Sequence, residues 1–105
     1  CLDTFPYNGV TTSFEALWMG VPVLTMKGYN FNSRCGESIN KNLNLSSMIA
    51  NDENDYISKA KEFLNKEKLV NTRNYLFDNL LKSPLFDGKK FSKEFLGSLE
   101  AIYNK

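Results

Sequence analysis

The chain has 105 residues, 42% hydrophobic and 24% charged, a composition typical of one globular domain or part of one. Its 13 basic and 12 acidic residues leave a net charge of +1, so no basic excess indicates a nucleic-acid partner. With no histidine and only Cys1 and Cys35, the chain alone cannot build a His-based triad, a His metal site or a disulfide framework. No apolar run approaches the roughly 20 residues of a membrane span and no signal peptide is visible, which predicts a cytoplasmic protein with no membrane partner.

A strand end, a turn and a helix start follow one another at the beginning of the chain. Residues 1–5 are typical of the tail of a strand, and because the chain begins inside it without a methionine, we expect a piece of a longer protein. The Asn8-Gly9 pair bends the chain, and a helix is predicted from about Thr12 to Met19. The apolar face of this helix is expected in the core and consists of Phe14, Leu17 and Trp18.

A second strand completes the pattern. Gly20 is a typical C-terminal end for the helix, and Pro22 prevents its continuation. The apolar run from Val21 to Met26 contains β-branched residues and predicts a strand buried on both faces, as in a parallel sheet. Strand, helix and strand together form a βαβ unit.

Helical signals follow this unit. Ser33 is predicted to cap a second helix that reaches about Leu43, with Cys35 as an inert buried thiol on its apolar face. The short apolar piece at residues 45–50 predicts either a helical turn or an edge strand.

Three further helices are expected in the last half of the chain. The first is capped by Asp52 or Asn54, and the second ends before Pro84, because the residue ahead of a proline avoids helical geometry. A turn is predicted at residues 87–88, and the last helix follows it. The apolar stripe of that helix consists of Phe91, Phe95, Leu99 and Ile102.

The start of the first helix carries the candidate chemistry. The first backbone N–H groups of a helix have no partner inside it and lie at the positive end of its dipole, so this junction favours a phosphate. The hydroxyls of Thr11 and Thr12 either add donors there or simply cap the helix. Asp3, at the strand end, is more typical of a residue that holds a loop than of one that meets a ligand. Arg34 either pairs with a phosphate or makes surface contacts.

Glu15 has two competing interpretations. Thr12 and Glu15 have the spacing of a capping box, in which each side chain accepts a hydrogen bond from the other residue's backbone N–H. Alternatively, the carboxylate of Glu15 accepts hydrogen bonds from two adjacent ribose hydroxyls, since its two oxygens can accept in parallel. The pattern alone favours the capping box and leaves the ribose contact open.

Five segments of the chain, taken together, are characteristic of one family. They are LDTFPYNG at residues 2–9, Thr11-Thr12, ALWMGVPV at residues 16–23, Ser33-Arg34 and SPLF at residues 83–86. This set resembles the C-terminal catalytic region of the O-linked N-acetylglucosamine transferases, the TPR-containing glycosyltransferases of the GT41 type. The resemblance covers nearly the whole chain and is most specific at its N-terminal end.

The resemblance implies an α/β fold. The chain would be a fragment of the C-terminal, Rossmann-like half of a GT-B enzyme, a βαβ unit followed by three or four helices. Residues 1–50 would form the distal βαβ part of the nucleotide-sugar-binding half. Residues 51–105 would form a C-terminal helical segment of the same domain, one helix of which crosses back to the N-terminal half, missing here.

The resemblance also implies a function. The enzyme would transfer N-acetylglucosamine from UDP-GlcNAc to Ser or Thr hydroxyls of a protein acceptor, with inversion and without a metal or other cofactor. The alternatives are a GT-B enzyme that uses another nucleotide sugar or a non-protein acceptor, and a non-catalytic module in which the C-terminal helices form an interaction surface.

The donor-binding residues implied by the resemblance are Asn8, Gly9, Val10, Thr11, Thr12 and Glu15. The segment from Val10 to Thr12 would contact the phosphates, and Glu15 matches the acidic residue that holds the ribose hydroxyls. Two positions depart from the family pattern, because Val10 offers only its backbone N–H and the acid is usually an aspartate. The family's diphosphate-binding lysine, its uracil-binding segment and its proposed base lie upstream. No catalytic residue is therefore assigned here, and these 105 residues alone are expected to be inactive.

Overall fold

Three short stretches of chain lie side by side as parallel strands in the computed structural model, which describes residues 1–104. Strand β1 (Thr25–Met26) pairs in parallel with β2 (Ile49–Ala50). On the other edge of β1, Leu2 forms an isolated parallel bridge with Leu24. The helices are α1 (Thr11–Trp18), α2 (Cys35–Asn42), α3 (Glu53–Glu62), α4 (Lys66–Asn79) and α5 (Gly88–Tyr103). This combination of a small parallel sheet and helices confirms the α/β prediction at that level.

The strand predicted over residues 21–26 is much shorter in the structure. Gly20 adopts a φ of 75°, its N–H donates to the Leu17 carbonyl, and the Val21 N–H donates to the Ala16 carbonyl at 2.8 Å. This is the Schellman geometry that ends a helix at a left-handed glycine, so the predicted role of Gly20 is confirmed. Because the Val21 N–H is bonded to a carbonyl of α1, strand pairing begins only at Leu24 and continues in β1.

The segment at residues 45–50 contains both of the structures considered for it. A single 3-10 turn (Ser46–Met48) leads directly into β2. The predicted start of the second helix is wrong, because Ser33 ends a separate 3-10 turn that Asn30 caps. The helix itself begins at Cys35, with Arg34 as its N-cap.

One apolar core connects the sheet, α1, α2 and α4. Its buried members are Leu17, Val23, Leu24, Ile39, Leu43, Leu45, Met48, Leu76 and Leu80. The prediction that Trp18 belongs to the core is wrong, because its side chain is 57% exposed. It lies at the end of α1 beside Phe86, with ring centroids 5.6 Å apart, so only part of the indole is covered.

Within residues 1–104, three hydrogen bonds join the helical segment after residue 50 to the α/β part. The Tyr56 hydroxyl donates to the Asp3 carbonyl, and the Tyr75 hydroxyl donates to the Leu43 carbonyl, both at 2.9 Å. The third bond runs from the Arg73 guanidinium to the Gly20 carbonyl at 3.0 Å. These bonds fix α3 against the segment beside the sheet and α4 against the C-terminal ends of α1 and α2.

The predicted last helix is present as α5 (Gly88–Tyr103). The predicted turn at residues 87–88 is wrong, because Asp87 caps α5 and accepts a hydrogen bond from the Lys90 N–H at 3.0 Å. Within residues 1–104 no side chain of α5 is buried, so its apolar stripe faces solvent. The predicted end of the preceding helix before Pro84 is confirmed, since α4 ends at Asn79 and a 3-10 turn (Leu80–Lys82) follows it.

Candidate functional site

The first turn of α1 has free backbone donors. Val10 is the N-cap and makes no side-chain cap. The Phe14 N–H donates to the Val10 carbonyl at 3.0 Å. Among residues 1–104, no backbone N–H between Gly9 and Phe14 has an acceptor. The N–H groups between them lie at the positive end of the helix dipole. The junction can therefore receive an anionic oxygen.

The other helix starts in residues 1–104 are capped by side chains. Asp52, Asn65 and Asp87 cap α3, α4 and α5. In α2 the cap comes from a distant residue, because the Gly36 N–H donates to Asn8 Oδ1 at 3.0 Å. The start of α1 is thus the exception in this part of the chain.

The capping-box interpretation of Thr12 and Glu15 is wrong. Thr12 is the second residue of α1 and not its N-cap, and no side chain caps this helix. Thr11, Thr12 and Glu15 are all exposed. Residues three and four apart lie on the same face of a helix, so the carboxylate of Glu15 shares a face with both hydroxyls. The opposite face is occupied by Ser13 and Leu17, which are buried.

Asp3 lies beneath the turn that leads into α1. Its Oδ1 accepts hydrogen bonds from the N–H groups of Thr4 and Gly9, both at 2.9 Å. Its Oδ2 accepts a hydrogen bond from the Thr25 hydroxyl at 2.8 Å. Only 7% of Asp3 is exposed, so the carboxylate holds the loop, as the sequence favoured.

Asn8 is the second support of the same turn. Besides its bond from Gly36, it donates from Nδ2 to the Thr4 carbonyl at 2.8 Å. The Gly9 carbonyl accepts a hydrogen bond from the Ser13 hydroxyl at 3.1 Å. Asn8 is 1% exposed, so its side chain supports the turn from below. Val10, Thr11 and Thr12, by contrast, are exposed.

Gly36 and Thr25 also hold this turn in place, through Asn8 and Asp3. The sequence patterns did not predict either role. A Cβ at Gly36 would lie 2.2 Å from Thr25 Oγ1 and 2.6 Å from Asp3 Oδ2. Only glycine lets the start of α2 approach the carboxylate so closely. The sequence held one signal for this contact, which is the position of Gly36 inside a helical pattern. Glycine lowers helix propensity, and a glycine inside a helix often marks a close approach to another segment.

Arg34 is held by an ion pair with a buried acid. Its Nη2 and Nε donate to Glu37 Oε1 at 2.8 and 3.1 Å. This hydrogen bond is the largest of the effects that lower the pKa of Glu37 from its usual 4.5, and the charges of Arg34 and Lys41 lower it further. Burial of the carboxyl group acts in the opposite direction. The Arg34 side chain is 54% exposed, so the guanidinium retains access to a ligand.

Arg34 and Val10 line the same cleft, which has a volume of about 480 Å³. Phe14, Phe31 and Cys35 also line it, so its walls are mostly apolar. The expectation that Cys35 is a buried thiol is wrong, because Cys35 is partly exposed and its thiol donates to the Phe31 carbonyl at 3.2 Å. The structure therefore brings Arg34, predicted from sequence, to the cleft that borders the start of α1.

Among the described residues, no three His, Cys, Asp or Glu side chains are grouped in a way that could hold a metal ion. None of the described helices combines the length and the apolarity needed to cross a membrane.

Comparison with known proteins places the chain in a family. Residues 1–95 match the model of glycosyl transferase family 41. The chain is 40% identical, over 97% of its length, to a Solanum lycopersicum protein named "Probable UDP-N-acetylglucosamine--peptide N-acetylglucosaminyltransferase SPINDLY". It is 33% identical, over 100% of its length, to the Caenorhabditis elegans "UDP-N-acetylglucosamine--peptide N-acetylglucosaminyltransferase".

A solved structure agrees with these matches. The "Thermobaculum terrenum O-GlcNAc transferase mutant - K341M" superposes with a TM-score of 0.79, at 34% identity and over 97% of this chain. The chain spans 19% of that structure's length and 11% of the tomato relative's length. The predicted resemblance is thereby confirmed, and this chain belongs to glycosyl transferase family 41.

Proposed function

We propose that this chain is the distal part of the donor-binding half of a longer glycosyltransferase with the Rossmann-like architecture of GT-B enzymes. The enzyme transfers N-acetylglucosamine from UDP-GlcNAc to Ser or Thr hydroxyls of proteins. The observation that carries the proposal is the uncapped start of α1, which follows a parallel strand inside the segment matched by the family model. The printed names of the relatives support the choice of donor and acceptor.

The proposed donor site uses groups on the outer side of the turn. Backbone N–H groups of Val10, Thr11 and Thr12 and the two threonine hydroxyls donate to the diphosphate. Glu15, one turn further along the same face, accepts from the ribose hydroxyls. Asn8 and Gly9 contribute by holding the turn in place. The Asn8 side chain is buried, and the Gly9 N–H donates to Asp3.

In the proposed reaction, the acceptor hydroxyl oxygen attacks the anomeric carbon of the sugar from the side opposite the diphosphate. The bond between that carbon and the diphosphate oxygen breaks, and UDP leaves with the bonding pair. The hydroxyl proton passes to a base supplied by the other half of the enzyme. Negative charge grows on the leaving oxygen, and preorganised N–H donors at the start of α1 stabilise it. This role requires no metal.

A binding experiment tests the proposal in the full-length protein. Hydrogen exchange is measured with and without UDP, and protection is expected at residues 8–15. The double variant Thr11→Val and Thr12→Val removes both hydroxyls with little change of shape, and hydrogen bonds to charged groups contribute about 1.5–3 kcal/mol. We expect the affinity for UDP to fall by roughly tenfold or more.

A matched control is available at another helix start. Asn65→Ala removes the cap of α4, so it lowers stability without touching the proposed site. It should leave the dissociation constant of UDP unchanged. If UDP protects no amide near α1, or if the threonine variants and the control behave alike, the proposed donor site is wrong.

A second candidate keeps the site and changes the donor. Val10 places an aliphatic side chain at the edge of the phosphate turn, and Glu15 is one methylene longer than the usual aspartate of the family. A panel of nucleotide sugars in the binding assay discriminates between the two. Tighter binding of a different nucleotide sugar than of UDP-GlcNAc would favour this second candidate.

A further inference from the structure

The carboxylate of Asp3 connects three separate pieces of the chain. Thr4 lies beside it in sequence, Gly9 ends the loop that leads into α1, and Thr25 lies on the neighbouring strand. The tie to the helical segment is made by the Asp3 backbone, whose carbonyl accepts from the Tyr56 hydroxyl at 2.9 Å. A carboxylate with only 7% exposure is thus surrounded by donors from different elements.

The bond from Gly9 has the largest consequence for the proposed donor site. The peptide unit is planar, so fixing the Gly9 N–H also fixes the plane of the bond between Asn8 and Gly9. The chain enters α1 directly after this plane. The direction of the free N–H groups in the first turn therefore depends on where the Asp3 carboxylate holds Gly9.

The support is close-packed from the other side as well. Gly36, in the first turn of α2, leaves no room for a Cβ against Asp3 and Thr25. The Gly36 N–H donates to Asn8, which in turn donates to the Thr4 carbonyl. Asp3 and Asn8 close the same loop from two directions, and charge-assisted bonds to a carboxylate are the stronger kind.

We infer that Asp3 is a positioning residue that holds the Gly9–Val10 turn in the orientation in which the first N–H groups of α1 meet the donor diphosphate. This inference rests on the proposed function. Asp3 itself is buried beneath the turn and does not touch the donor. Displacing donors from a charged group by as little as 1 Å can cost on the order of a hundredfold in rate.

The test separates positioning from stability with three variants of the full-length enzyme. Asp3→Ala removes all three hydrogen bonds to the carboxylate, including the two from Thr4 and Gly9 that hold the turn. Thr25→Val removes only the bond to Oδ2 and leaves those from Thr4 and Gly9 in place. Asp3→Asn keeps an acceptor oxygen for Thr4 and Gly9, while its amide nitrogen can donate to the Thr25 hydroxyl.

The readouts are the dissociation constant of UDP, kcat/KM for UDP-GlcNAc and the melting temperature. For Asp3→Ala we expect UDP binding to weaken roughly tenfold and kcat/KM to fall up to roughly a hundredfold. For Thr25→Val we expect a lower melting temperature with UDP binding within about threefold of wild type. Asp3→Asn should restore UDP binding to within about threefold of wild type.

Each outcome decides one question. If wild type binds UDP and Asp3→Ala lowers only the melting temperature, as Thr25→Val does, the positioning role is overturned while the proposed function stands. If wild type does not bind UDP, the proposed function fails first. Should Asp3→Ala not fold, Asp3→Ser replaces it. Failure of both to fold overturns the inference, because Asp3 would then support the whole fold and not the turn.

Discussion

Removing the carboxylate of Glu15 is expected to weaken donor binding without weakening the fold. The side chain is exposed, and α1 has no side-chain cap, so Glu15→Ala removes no intramolecular hydrogen bond at the helix start. Surface substitutions of this kind usually change the free energy of unfolding by about 0.5 kcal/mol or less. The melting temperature should therefore stay close to that of wild type.

The expected loss of affinity follows from the proposed ribose contact. A hydrogen bond to a charged acceptor contributes about 1.5–3 kcal/mol, and every 1.4 kcal/mol corresponds to tenfold. Glu15→Ala should therefore raise the donor KM by roughly 10- to 100-fold. Glu67→Ala, at an exposed acid in the first turn of α4, is the matched control and should leave the KM unchanged.

The decisive assay compares UDP with 2′-deoxy-UDP as ligands. Wild type should bind 2′-deoxy-UDP more weakly than UDP, because one hydroxyl of the diol is missing. In Glu15→Ala the difference between the two ligands should largely disappear, since the carboxylate that distinguishes them is absent. An equal preference in wild type and variant would refute the ribose contact. A lowered melting temperature with unchanged KM would show that Glu15 stabilises the helix start and does not bind the donor.

Three further substitutions test the support of the site. Gly36→Ala forces a Cβ to within 2.2 Å of Thr25 Oγ1, so we expect a loss of about 1–3 kcal/mol in the free energy of unfolding, measured by urea titration. Gly20→Ala places a side chain at a φ of 75° and should cost at least about 1 kcal/mol; a melting temperature equal to that of wild type would contradict this. Glu37 has a pKa below 4.5 in the folded protein, owing first to its hydrogen bond from Arg34. Its contribution to stability is therefore present above pH 4.5 and is lost as the pH falls through the lowered folded pKa. Glu37→Gln should flatten this part of the stability–pH curve, and an unchanged slope below pH 4.5 would exclude the ion pair as its cause.

The local patterns of the sequence predicted much of the architecture. Helix ends depend on a few neighbouring residues, so the roles of Gly20 and Pro84 could be predicted and are confirmed. The segments at residues 2–9, 11–12, 16–23, 33–34 and 83–86 also gave the resemblance to the family, which the match of residues 1–95 to the family model confirms. The helix ends are determined by interactions between residues close together in the chain.

The tertiary structure decided which groups at the start of α1 remain free. Thr12 and Glu15 have the spacing of a capping box in the sequence. In the structure, however, the N-cap is Val10, so the two residues do not form one. The polar residues Asp3 and Asn8 are buried beside partners far away in sequence, Thr25 on β1 and Gly36 in the first turn of α2. Long-range contacts of this kind leave no periodic pattern in a sequence, so they could not be predicted. The sequence by itself determined that a helix starts here. Only the fold determined that its backbone donors stay uncapped, next to a turn held by a buried carboxylate.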